Sequence, residues 1–145
     1  MKDSLTKEAA GVELRAVAPA FLVSDVNATA KWYAEQLGFE TAGIFPPKPP
    51  ASWASLQRGG VEIMLQRLPG YEKPDLYQQR DGGVWHAYIR TRGVHALYET
   101  LRDKPFIKMA LTRQPYGDWE FEVVDMNGYV LVFGGDETVD ASNNR

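Results

Sequence analysis

Two short apolar stripes in this chain overlap at an offset of 68 residues, which carries Ala30 onto Tyr98 and Tyr33 onto Leu101, and much of the remaining sequence repeats at the same offset. The first stripe is Ala30, Tyr33, Ala34 and Leu37; the second is Val94, Leu97, Tyr98 and Leu101. Each has the i, i+3, i+4, i+7 spacing that gives a helix one apolar face. Asp25 and Asn27 stand near the start of the first helix as candidate caps, and Gly38 lies just past its end. A strand-like run precedes each stripe, residues 17–23 and 85–91. After the stripes, residues 39–45 map onto 107–113, 53–58 onto 121–126, and 61–67 onto 129–135. Gly60 maps onto Gly128, and each opens an apolar strand. Agreement of pattern, turn and glycine positions at one period, with little residue identity, marks an internal duplication. Each half must then supply the same elements: strand, helix, strand, strand, strand.

The spacing therefore predicts an α+β chain of two tandem βαβββ modules. Module one covers about residues 15–67 and module two about 83–135. The connection LPGYEKPDLYQQRDG is rich in Pro, Gly and charge, as a surface segment should be. Residues 1–14 and 136–145 read as polar extensions, and the tail DETVDASNNR has a disordered composition. With 145 residues, the whole of 1–145 reads as a single domain with a proper core. A net charge of −3 argues against nucleic acid and against a polybasic membrane anchor. The absence of cysteine removes disulfides, thiolate metal sites and thiol nucleophiles. No apolar window is long enough to span a bilayer, and MKDSLTKEAAG carries charge where a signal peptide needs apolar sequence. The expected location is the cytoplasm.

Two stretches carry a family resemblance. Phe21-Leu-Val-Ser-Asp25-Val, followed by Trp32-Tyr33 and Leu37-Gly38-Phe39, resembles the opening of glyoxalase, bleomycin-resistance and extradiol-dioxygenase proteins. The run from Trp119 through Asp125-Met-Asn127-Gly128 to Phe133 resembles their closing strand, turn and strand, where the usual turn is Asp-Pro-Asp-Gly. This is the vicinal oxygen chelate superfamily, and the metal-free bleomycin-resistance-like members are the most similar. The resemblance implies that the mixed sheets of the two modules form an open cup, usually within a homodimer. It does not settle activity, since the family holds isomerases, dioxygenases, thiol transferases and metal-free drug binders.

Metal-dependent members place four ligands in the cup, typically His, Glu and Gln. The family pattern puts the first at Ala18, and the offset adds His86. The fourth falls at Val132, which returns Met64 as the second. A slip of two residues keeps the face and would substitute Glu62. Only His86, with Glu62 in that register, is a credible ligand, whereas a catalytic metal site needs about three. The expectation is no metal and no cofactor.

Alternation assigns the cup wall. Val61, Ile63 and Leu65 face the helices, leaving Glu62, Met64 and Gln66 toward the cup; Ala87 and Ile89 do the same, leaving His86, Tyr88 and Arg90. Trp53 and Trp119 are expected to border the cup mouth, where an indole stacks on a planar ligand. Trp32 and Trp85 are expected in the core, Tyr116 in a lid, and His95 in solvent. If the cup closes up, Glu62 and Arg90 become a structural ion pair and His86 a hydrogen-bonded core residue. The set points to a pocket for a small molecule, such as an aromatic or drug-like one. The alternatives are a metal-dependent lyase, isomerase or dioxygenase using His86 and Glu62, or a metal-free enzyme using either residue as acid or base. For Glu62, burial beside Met64 would raise the pKa and Arg90 would lower it.

Overall fold

A computed structural model describes residues 10–136, so the disorder expected for the C-terminal tail and most of the N-terminal extension lie outside the described residues. Module one holds β1 (Ala20–Val23), α1 (Val26–Leu37), β2 (Glu40–Phe45), β3 (Trp53–Arg58) and β4 (Val61–Arg67). Module two holds β5 (Ala87–Arg90), α2 (Val94–Leu101), β6 (Ile107–Arg113), β7 (Trp119–Val124) and β8 (Val130–Gly135). A single 3-10 turn, Tyr77–Gln79, interrupts the connection. The sheets run β1-β4-β3-β2 and β5-β8-β7-β6. The first strand of each module is parallel to the last, and the other pairs are antiparallel. These are two tandem mixed-sheet βαβββ units, with sheets that stay open as a cup.

Local chemistry sets the helix ends. Asp25 has extended backbone, and its carboxylate accepts from the Ala28 N–H at 2.9 Å. Gly38 adopts the left-handed conformation (φ 70°) that ends the helix, and its N–H reaches the Tyr33 carbonyl. Asn27 does not cap the helix in this way; its side chain accepts from the Ala51 N–H at 2.8 Å and ties down the β2–β3 connection. Replacing Asp25 by Ala is expected to cost about 1 kcal/mol in a denaturant titration, the usual worth of an N-cap. No measurable change would mean that the cap is redundant with packing.

The duplication is visible in strand register. Phe21 pairs with Leu65 across the parallel β1–β4 ladder, and Ile89 pairs with Phe133 across β5–β8, each partner 68 positions later. All four point to the helices and join one continuous core that spans both modules. Ala20 pairs with Met64 and Tyr88 with Val132 on the other, concave face. Met64, not Glu62, is therefore the structural equivalent of Val132.

In β7 the offset changes. Ser55 lies opposite Met64, whereas Glu122 lies opposite Val132, a separation of 67 positions. The cause is the turn. Arg58 pairs with Val61 around Gly59-Gly60, while Asp125 meets Tyr129 around Met126-Asn127-Gly128, one residue more. Residues 53–58 thus correspond to 120–125, not to 121–126. A slip of one residue exchanges the two faces of a strand. Trp119, Phe121 and Val123 consequently face the helices, and Glu120 and Glu122 face the cup.

The longer turn also joins the modules. Tyr33 on α1 donates to Asp125 at 2.6 Å, and the Asn127 amide donates to Thr29 at 2.9 Å. Trp32 meets Phe106 edge to face, and Tyr129 stacks on Phe21 at 4.3 Å while its hydroxyl reaches the Leu22 carbonyl.

Candidate functional site

On module one, β3 and β4 present Trp53, Ser55, Glu62, Met64 and Gln66 on the concave face. Trp53 lies opposite Gln66, and Ser55 opposite Met64. The Ser55 hydroxyl donates to Glu62 at 2.6 Å and holds its carboxylate along the sheet. Phe45, opposite Trp53, is exposed on the same face.

On module two, His86 stands one residue before β5. Its N–H donates to the Val130 carbonyl, and its Nδ1 accepts from the Val130 N–H, both at 2.9 Å. An imidazole that accepts at Nδ1 carries its proton on Nε2. Burial first, and then the charge of Lys73, lowers the His86 pKa below the usual imidazole value, which favours the neutral ring. Tyr88 donates to Glu120 at 2.7 Å. Arg90 is largely exposed; it lies over the Tyr88 ring and 3.8 Å from Asp118. Glu62 and Arg90 form no ion pair with each other among the described residues, since each has a different partner.

Glu62, His86, Tyr88 and Arg90 meet along a groove of about 370 Å³ at the seam between the two sheets, with Val17 and Pro19 on its rim. Met64, Gln66 and Trp53 continue the concave surface beyond the groove. Trp119 does not. The expectation that it borders the cup is corrected by the register of β7: it packs against the core on the helix side, 4.9 Å from the His95 ring and edge-on to it. His95 is not solvated either. Both its ring nitrogens are buried and have no hydrogen-bond partner among the described residues.

The floor of module two holds two carboxylates that the alternation pattern alone leaves unassigned. Glu120 and Glu122 are 1% and 2% exposed. Glu120 accepts from Tyr88 and from Tyr116 at 2.5 Å, and Glu122 from Tyr77 at 2.5 Å and from the Trp85 indole at 3.2 Å. Trp85 is therefore a surface residue of the cup, 43% exposed, and not a core residue. It precedes β5 and escapes the alternation read from Ala87 onward. Tyr77, in the connection, carries no sequence signal of its role. Burial, and then the bond to the neighbouring carboxylate, pushes Tyr77 and Tyr116 up to about 12 and Tyr88 higher still. The alternation of Phe121 and Val123 with the two glutamates is the available clue, and counting the extra turn residue assigns it.

The donor set does not fit the divalent metal that the fold family implies. Register makes the four positions Ala18, Met64, His86 and Val132, of which Val132 is wholly buried and, like Ala18, has no lone pair. A thioether suits soft ions, not hard divalent ones. A metal-bound imidazole normally donates its other ring N–H to an acceptor. Here Nδ1 faces a donor, which leaves the proton on the nitrogen that would have to ligate. Among the described residues, no three His, Cys, Asp or Glu side chains converge.

The fold has well-defined counterparts. A bleomycin-binding protein from bleomycin-producing Streptomyces verticillus, solved with copper(II)-bleomycin, superposes with a TM-score of 0.60 at 23% identity, over 87% of this chain and 99% of that one. A bleomycin resistance determinant encoded on transposon Tn5 gives 0.62 at 22% identity, covering 86% and 100%. A glyoxalase-related enzyme from Clostridium phytofermentans gives 0.66 at 16% identity, covering 89% and 100%. At these identities the likeness is one of fold. Among curated proteins no match is found. The family model described as Glyoxalase/Bleomycin resistance protein/Dioxygenase superfamily matches residues 15–133, nearly the whole of the two modules. On that match and that architecture, the chain belongs to the glyoxalase/bleomycin resistance protein/dioxygenase superfamily.

Proposed function

We propose that this protein binds a small organic molecule in the concave groove without a metal, as a cytoplasmic homodimer, and that the groove residues Glu62, His86, Tyr88 and Arg90 recognise it. The observation that carries the reading is the His86–Val130 hydrogen bond. With Nδ1 committed to a backbone N–H, the ring offers the groove a neutral Nε2–H donor. That is a recognition group. It is a poor metal ligand and a poor general base, because its lone pair is already in use. Trp53, Met64 and Gln66 extend the contact surface for an aromatic or drug-like body. Fold neighbours solved with bleomycin support an organic ligand as the class. Exposed Val17 and Phe45 near the open face support a second chain. No helix among the described residues is long and apolar enough to cross a membrane.

Two measurements test this. Protein purified without chelator is expected to contain far less than one zinc, nickel, manganese or iron per chain, and stoichiometric metal would overturn the metal-free reading. A thermal-shift series with planar aromatic compounds is expected to find stabilisers, with a ligand at a hundred times its Kd adding about 2.7 kcal/mol. Failure of every compound at millimolar concentration would count against a binding protein. Glu62→Gln keeps an acceptor for Ser55, so the fold should hold while ligand affinity changes.

A further inference from the structure

The two modules differ most where each hairpin turn meets the other module's helix. The β7–β8 turn fills its contact with α1: Asp125 bonds to Tyr33 and Asn127 to Thr29. The equivalent contact sets the β3–β4 turn against α2, where Leu97 and Leu101 stand 68 positions after Thr29 and Tyr33. Here the turn is Gly59-Gly60, with no side chains to insert, and a Cβ placed on either glycine would meet nothing within 4 Å. The contact that is stitched shut on one side is on the other side a cleft of about 540 Å³.

The lining of this cleft has a definite chemistry. Phe39, Ile89, Leu97 and Phe133 form an apolar floor, and Arg58, Arg90 and Arg92 surround it. Among the described residues no Asp or Glu lines the cleft, although the chain as a whole carries a net charge of −3. Arg58 spends one N–H on the Leu37 carbonyl at 2.8 Å, which leaves the rest of its guanidinium available. Neither Arg58 nor Arg92 forms a salt bridge among the described residues. Arg90 is held over Tyr88 beside Asp118 on the concave side, so the two guanidiniums of Arg58 and Arg92, over a low-dielectric wall, focus the positive potential on the cleft. A planar guanidinium matches a carboxylate or sulfonate through paired N–H donors.

We propose that this cleft between the β3–β4 turn and α2, which adjoins the concave groove at Gly60, Val61, Ile89 and Arg90 but opens toward Arg58, Arg92 and α2, is a second ligand site for a small organic anion with an apolar body. The anionic group meets Arg92 and its neighbours while a ring or short chain lies on Leu97 and Phe133. The loss of side chains from one turn of the duplicated pair opened the space, and the arginines give it a charge preference.

The test uses two probes with the same ring and opposite charge, 1-naphthaleneacetate and 1-naphthylmethylamine. Each is titrated into the full chain and followed by calorimetry and by amide chemical-shift mapping. The acid is expected to bind and to shift amides at Gly59, Gly60, Arg92 and Ala96, while the amine does not. Arg92→Glu should weaken the acid by about tenfold or more, the scale of one charge-assisted contact. Ala96→Trp, an exposed helix position facing the cleft, should block it sterically, and the amide spectrum of each variant reports whether the fold is kept. The proposal fails if the acid does not bind at millimolar concentration, if the amine binds as well as the acid, if the shifts centre on Glu62 and His86, or if folded Ala96→Trp binds the acid unchanged.

Discussion

Replacing Asp125 by Ala is expected to destabilise the fold by about 3 kcal/mol, among the largest effects of any single truncation in this chain. The carboxylate is buried and accepts from the Tyr33 hydroxyl at 2.6 Å and from the backbone N–H groups of Asn127 and Tyr129 at 2.8 and 2.9 Å. Truncation leaves a wholly buried phenol without its acceptor and frees two turn amides. It also removes one of the two hydrogen bonds that tie α1 to the β7–β8 turn, leaving only that between Asn127 and Thr29. For a domain of this size the loss corresponds to a fall in Tm of roughly 10 °C. Tyr33→Phe should cost about a third to a half as much, since the turn amides keep their acceptor. A double variant no worse than Asp125→Ala would show that the two groups act as one unit.

The same residue gives a pH signature. Burial raises the Asp125 pKa above its ordinary 3.8 against the pull of its hydrogen bonds, the Tyr33 bond foremost. A group whose folded-state pKa is raised stabilises the fold fully below its unfolded pKa, and this contribution is lost as pH rises through the folded value. The stability difference between the natural protein and Asp125→Asn should therefore be larger near about pH 3 than near about pH 7. A difference that grows with pH instead would mean that the hydrogen bonds outweigh burial.

Glu120→Ala is the second large effect, expected at about 2–3 kcal/mol. It removes the shared acceptor of Tyr88 and Tyr116 and opens a gap on the buried floor opposite Gly134. Glu120→Gln separates charge from shape. It keeps an acceptor oxygen but removes the negative charge, so Tyr116 should titrate below its natural value of about 12, while burial still holds it above the ordinary tyrosine value. In the natural protein the phenols of Tyr77, Tyr88 and Tyr116 all have raised folded pKa values. Their stabilisation is complete below pH 10, the ordinary tyrosine value, and is lost as pH rises through about 12. Ultraviolet absorbance titration reads this directly. If no tyrosine ionises late, or if Glu120→Gln leaves every late tyrosine in place, the carboxylate–phenol cluster is not formed in solution.

These effects bear unequally on what can be read without coordinates. Helical periodicity in the two stripes predicts α1 and α2, and alternation in residues 61–67 predicts which side chains of β4 face the helices. Ile63 and Leu65 are indeed wholly buried, with Glu62, Met64 and Gln66 opposite. Those inferences are local, and the physics behind them is local as well. Trp85 and His95 defeat periodicity for a different reason. Each sits at the edge of an element, where the period has not begun, so its environment is made by another segment: Glu122 for the one, Trp119 for the other.

By itself the sequence determined the duplication, the order of elements, the family resemblance and the lack of lone pairs at Ala18 and Val132. The tertiary structure alone decided three things: that Met64 is the partner position to Val132, that His86 Nδ1 is occupied by a backbone donor, and that Glu120 and Glu122, not Trp119, face the cup. The reason is register. A side-chain period tells which residues share a face, but the number of residues in a turn decides which face meets the neighbouring strand. The repeat is 68 residues in β5 and β8 but 67 in β7, because the turn between Asp125 and Tyr129 holds one residue more than its counterpart at Gly59-Gly60. That residue reversed β7 and set two buried carboxylates in the cup.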